Sequence, residues 1–159
     1  MYGQDRTQSR NQLRQVFFRA WQRQREQQPL VGIERIIASV ALRHPEYHTV
    51  LENRASHEDH DFSPQTGQSN PFLHMGMHIT IEEQLSVDQP SGIRAYYQTI
   101  MKQGLDEHDA QHRIMDCLGE MLWQADRQRS APDPTAYLTC LAQLCGEPQV
   151  VNDLAIPKP

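Results

Sequence analysis

Residues Asn70–Val87 read NPFLHMGMHITIEEQLSV, and the pattern of this stretch decides the fold class. Asn70 can accept hydrogen bonds from free amides at a helix start, and the fixed φ of Pro71 suits the first helical position. Apolar residues then recur at helical, not alternating, spacing. Gly76, Thr80, Glu83 and Gln84 form a polar wedge, while His74, His78 and Glu82 point the opposite way among Met75, Ile81 and Leu85. The stretch therefore predicts a helix over 71–87 that carries two imidazoles on its buried side.

Outward from this helix the same period continues. A first helix is expected over 5–27, with Leu13, Val16, Phe17, Ala20 and Trp21 as its apolar stripe, and a second over 30–43 on Ile33, Ile36, Ile37, Val40 and Ala41. Pro45 cannot donate to the preceding turn, so the chain must kink or restart there before a short segment to Asn53. Residues 54–70 have loop composition. Ser91 is the expected cap of a fourth helix ending at Gly104, Asp106 of a fifth reaching Arg127, and Asp133-Pro134 opens a last one ending at Gly146. No stretch alternates like a strand. The expectation is an all-α, single-domain helical bundle of about six helices over residues 1–146, with an irregular tail over 147–159.

Composition narrows the function classes. The 159 residues are 38% hydrophobic, with mean hydropathy -0.70 and no apolar run approaching the roughly 20 residues of a membrane span. A polar N-terminus without a secretory apolar core points to a cytoplasmic protein. The net charge of -5 argues against nucleic acid as a partner of the whole surface, although Arg6, Arg10, Arg14, Arg19, Arg23 and Arg25 make residues 1–30 locally basic. Cys117, Cys140 and Cys145 show no C-x-x-C spacing and read as reduced core residues. Trp123 has core-like spacing. No nucleophile elbow, phosphate-binding glycine loop or zinc-finger spacing is present.

Histidine is the informative residue. His44 and His48 are four apart, as are His74 and His78, and His108 and His112; Glu52, Glu82 and Asp116 each follow four further on. Groups four apart share a helix face, about one turn apart, a spacing that lets two imidazoles grip one ion. His44 falls within the Ile33/Ile37/Val40 stripe if its helix stays regular, and His108 and His112 flank the Ile114/Leu118/Leu122 stripe. Burying six imidazoles without a common partner is costly, since even an unbonded neutral polar group costs about 1–3 kcal/mol. A metal ion supplies that partner. The candidate ligands are His44, His48, His74, His78, His108 and His112, with Glu52, Glu82 and Asp116 as ligands or orienting carboxylates; His57 and His60 read as solvated loop residues. Iron, zinc and manganese all suit such donors. Two irons would favour redox or oxygen chemistry, and one zinc with an open position would favour hydrolysis. Against this stands a non-enzymatic interaction protein, whose arginine-rich first helix would dock on an acidic partner or RNA while the histidines form a hydrogen-bonded core. Monomer and homo-oligomer both remain open.

The strings HPEYH (44–48), NPFLHMGMHITIEEQ (70–84), DQPSGIR (88–94) and EHDAQHRIMDCLGEMLWQADR (107–127) resemble those of the bacterial domain-of-unknown-function 1841 family over roughly residues 10–145. That resemblance implies no activity, but its distinctive strings contain the three histidine pairs. A looser likeness to hemerythrin-like and DinB-like metal-binding bundles rests on the H-x-x-x-E and H-x-x-x-H spacings alone.

Overall fold

The structure, a computed structural model, describes residues 2–62 and 69–146, with side chains from Thr7 onward. The described residues are all-helical. The helices are α1 (Tyr2–Arg25), α2 (Ile33–Leu42), α3 (His48–Glu52), α4 (Arg54–His57), α5 (Pro71–Val87), α6 (Ile93–Met101), α7 (Glu107–Gln128) and α8 (Pro134–Gly146), with a 3-10 turn at Pro45–Tyr47. Among the described residues eight helices replace the expected six or so, because the segments after Pro45 and Asn53 close as one-turn pieces, α3 and α4. No described helix is long and apolar enough to cross a membrane. The expected tail, 147–159, lies outside the described residues.

The chain resolves into two compact units, Met1–Glu83 and Gln84–Pro159, the division falling inside α5. In the N-terminal unit, Phe17, Phe18, Ala20 and Trp21 of α1 pack with Ile37, Val40 and Ala41 of α2, Leu51 of α3, and Phe72, Met75 and Ile79 of α5. Phe17 and Phe18 both meet Phe72 edge-on, at 5.7 and 5.6 Å between ring centres. The expected stripe of α1 is displaced: Leu13 is exposed, and Arg14 is buried beside it. The Arg14 guanidinium donates to the carbonyls of His57, Glu58 and His60 at 3.3, 3.2 and 2.7 Å and lies 4.7 Å from the Phe72 ring centre. One cation thus satisfies three backbone acceptors at the end of α4. The other basic residues of α1 also have acidic partners here: Arg10 pairs with Asp61, Arg19 and Arg23 with Glu34, and Arg25 with Glu52. The Arg6 side chain is outside the described residues.

Helix starts follow the expected chemistry at three of four places. Asn70 accepts from the amides of Phe72 and Leu73, Asp106 from Asp109, and Asp133 from Thr135. Ser91 is not a cap. Gly92, at φ 99°, occupies the position before α6, and the Asp88 carboxylate reaches the Arg94 amide instead. That amide is the main cause holding the Asp88 carboxyl below its ordinary range. The C-terminal unit buries Ile93 and Ile100 of α6, Ile114 and Leu118 of α7, and Tyr137 and Leu141 of α8. Tyr137 donates to Gln84 Oε1 at 2.8 Å. Leu122 and Trp123, expected in the core, are exposed, and Trp123 instead lies under the Arg127 guanidinium. The cysteines also differ from expectation. α7 and α8 bring Cys117 and Cys140 to a Cα separation of 5.7 Å, within bonding range, and they form a disulfide.

Glu34 is the acidic anchor of the N-terminal unit. Buried on α2, it accepts from the Val31 amide at 3.1 Å, from Arg23 at 3.0 Å and from Arg19 at 3.1 Å. The Val31 amide, followed by the two arginines, holds its carboxyl below the ordinary value of 4.5. Because the folded value is the depressed one, the stability it contributes is complete above 4.5 and is lost as pH falls through the folded value. A Glu34→Gln variant should therefore melt below the parent protein at neutral pH. The gap should close once pH is below the folded value, as read by thermal denaturation across an acid series.

Candidate metal centre

The end of α2 shows why HPEYH positions its histidines as it does. A continuing helix would send the amide of residue 45 to the carbonyl of Ala41, but proline has no N–H to send. The chain tightens, with Arg43 and His44 amides bonding Val40 and Ala41 carbonyls at 3.1 and 3.0 Å. The two imidazoles complete the closure. His44 Nδ1 lies 2.7 Å from the Val40 carbonyl, and His48 Nε2 lies 2.7 Å from the Ala41 carbonyl. A carbonyl only accepts, so His44 carries its proton on Nδ1 and His48 on Nε2. Both rings cap the negative end of a helix.

These opposite tautomers separate the pair. His44, 1% exposed, turns its unprotonated Nε2 towards α5. It stands 3.2 Å from His74 Nε2. The ring centres of His44, His74 and His78 are 4.7 to 5.0 Å apart in all three pairings, and His78 is fully buried. Ring nitrogens of His44 and His78 also come within 4.8 Å of each other. Tyr47 stacks parallel on His44, 5.3 Å away and 5° from coplanar. His48 instead lies against Trp21, at 4.2 Å between ring centres.

The carboxylates have other partners. Glu82 pairs with Arg43 at 3.0 Å, fastening the end of α2 to α5 beside His44 and His78. Glu52 accepts from Trp21 Nε1 at 3.3 Å and faces Arg25 at 3.5 Å. Asp116 is exposed on α7. In the C-terminal unit, His108 and His112 are half-buried with ring centres 4.2 Å apart, and each offers a ring nitrogen within 4.8 Å of the other's. His60 is exposed, as expected, while His57 is half-buried at the end of α4; both rings meet Phe62, and His57 Nδ1 lies 3.0 Å from the Asn53 carbonyl.

The His44 and His74 nitrogens stand at hydrogen-bond distance, and the same separation is compatible with two ligands of one ion. Nitrogens about 2.0–2.1 Å from a tetrahedral ion stand about 3.3–3.4 Å apart, and at a right angle about 2.9 Å apart. The observed 3.2 Å lies between the two. Tyr47 and Arg43 escaped the sequence reading, although both flank His44 within a few residues. Spacing alone carried no signal that one ring would stack there and one cation would tie the two helices.

The family model described as Domain of unknown function (DUF1841) matches residues 9–143. The chain belongs to this family. The matched span contains all three histidine pairs, so the imidazole arrangement lies inside the family domain. No curated protein and no solved structure matches the chain.

The tautomers can be checked directly. Long-range 1H–15N correlation spectra at about pH 8, above the ordinary imidazole value of about 6.5, should show His44 protonated on Nδ1 and His48 on Nε2. Identical tautomers for the two rings would contradict the capping geometry.

Proposed function

We propose that the protein binds a transition-metal ion through imidazole nitrogens, with His44, His74 and His78 as the donor set of its N-terminal unit. One observation carries the reading. His44 donates its Nδ1 proton to a backbone carbonyl and holds its Nε2 lone pair 3.2 Å from a second imidazole nitrogen. Metal-bound histidines are oriented in this way, the outer N–H on a carbonyl and the inner lone pair on the ion. An ion held among His44, His74 and His78 would draw on all three rings, whose centres lie within 5.0 Å of one another.

Imidazole donors suit zinc and iron better than manganese, which prefers carboxylate and water. Zinc would supply Lewis-acid polarisation of bound water, and iron would supply electron exchange. Arg43 and Glu82 would hold the two donor-bearing segments in register. His108 and His112 form a further two-donor set on α7, and Glu52 and Asp116 are reserve carboxylates in this reading.

Metal analysis of tag-free protein tests it. About one equivalent of zinc or iron per chain is expected after reconstitution. His44→Ala and His78→Ala should each weaken binding by more than the roughly 10–100-fold typical of losing an orienting partner, with helical content by circular dichroism unchanged. The His108→Ala/His112→Ala double variant reports how many bound equivalents depend on the α7 pair. Less than about 0.1 equivalent in the reconstituted parent protein would end the proposal.

A further inference from the structure

Beside the disulfide of the C-terminal unit lies a cavity of about 420 Å3, formed along α7 and α8. Both bonded cysteines line it, together with Glu120, Asp133, Thr139 and Gln143. A disulfide at the wall of a cavity of this size can be reached by a small molecule, unlike one sealed within a core. We propose that Cys117–Cys140 is a thiol-exchange site, and that a small external thiol attacks it at Cys140.

The direction of attack follows from burial. Cys117 is 2% exposed on the inner side of α7, whereas Cys140 is partly exposed on α8. Exchange requires access to the sulfur under attack. The incoming thiolate bonds to Cys140 Sγ as the Cys140–Cys117 bond breaks, and Cys117 leaves as a thiolate that takes up a proton. A second external thiolate then attacks the incoming sulfur, releasing Cys140 and the oxidised external disulfide. Two electrons pass from the external thiols to the protein pair.

No thiol of the chain is placed to replace the external one. Cys145 follows Cys140 by five residues on α8, about 140° around the helix. Its thiol donates to the Tyr96 carbonyl on α6 at 3.6 Å, and burial pushes that thiol up, keeping it protonated. The cavity also selects by charge. Glu120 and Asp133 are its charged residues, with no cation among the lining side chains. Two carboxylates repel an anionic thiol and attract a cationic one, an effect that salt screens.

The test uses the full chain, purified without reductant and exposed separately to cysteamine, 2-mercaptoethanol and 2-mercaptoethanesulfonate. Samples are quenched with an alkylating agent and mapped by peptide mass spectrometry. Each rate is divided by the rate for the same thiol on the urea-unfolded chain, which removes differences in intrinsic reactivity. The expected adduct is on Cys140, with Cys117 alkylated. The normalised rate should fall by about three- to tenfold from the cationic to the anionic thiol at low salt, and the difference should shrink at high salt. A Cys145→Ser variant should exchange at the parental rate. The proposal is overturned if exchange waits on global unfolding, if the adduct forms on Cys117, if the charge order is absent, or if the Cys145→Ser variant no longer exchanges. It is equally overturned if both cysteines are free in the purified protein and stay free after mild oxidation.

Discussion

The missing amide hydrogen of Pro45 is the constraint on which the histidine arrangement depends. It ends α2 at Leu42 and removes the i+4 donor of the Ala41 carbonyl, which the His44 amide bonds in a tighter turn instead. His48 Nε2 takes that carbonyl, and His44 Nδ1 takes the Val40 carbonyl, each at 2.7 Å. Because the two rings donate through different nitrogens, only His44 is left with an Nε2 lone pair to direct at α5. A regular helix through residue 45 would have stacked the two imidazoles on one face, as the sequence spacing suggests. The proline makes them unequal.

Buried charge organises the rest of the N-terminal unit. Glu34 and Arg14 would each be costly inside a core without partners. Glu34 gathers an amide and two guanidinium groups, joining α1 to the start of α2, and Arg14 gathers three carbonyls, joining α1 to the end of α4. Both are charge-assisted and multiply bonded, so they fix direction as well as distance. With the aromatic contacts of Phe17, Phe18 and Phe72, they settle how α1 lies against the segments that carry His44 and His74. Among the described basic residues of α1, Arg14 is buried on backbone carbonyls and Arg10, Arg19, Arg23 and Arg25 each pair with a carboxylate, where the sequence showed only a charged stripe.

The paired cysteines carry the same lesson in the C-terminal unit. Their separation of 23 residues contains no signal of pairing. The chain turns back between α7 and α8, and only that return brings the sulfurs together. Leu122 and Trp123 show the reverse case: their helical spacing is apolar and regular, yet both are exposed, because periodicity defines a face without saying whether anything covers it.

What the sequence by itself determined was local. The Asn70, Asp106 and Asp133 caps, the stop at Pro45, the helical period and the opposition of His74 and His78 to the polar wedge all follow from interactions within a turn or two of the chain. So did the family strings around the histidines. Tertiary structure alone decided which imidazoles meet: His44 with His74 and His78, His48 with Trp21, Glu82 with Arg43 and Glu52 with Trp21 and Arg25. The physical reason is that a four-residue spacing fixes a side chain's face but not its hydrogen-bond partner. The partner depends on which carbonyls, rings and charges distant segments bring alongside.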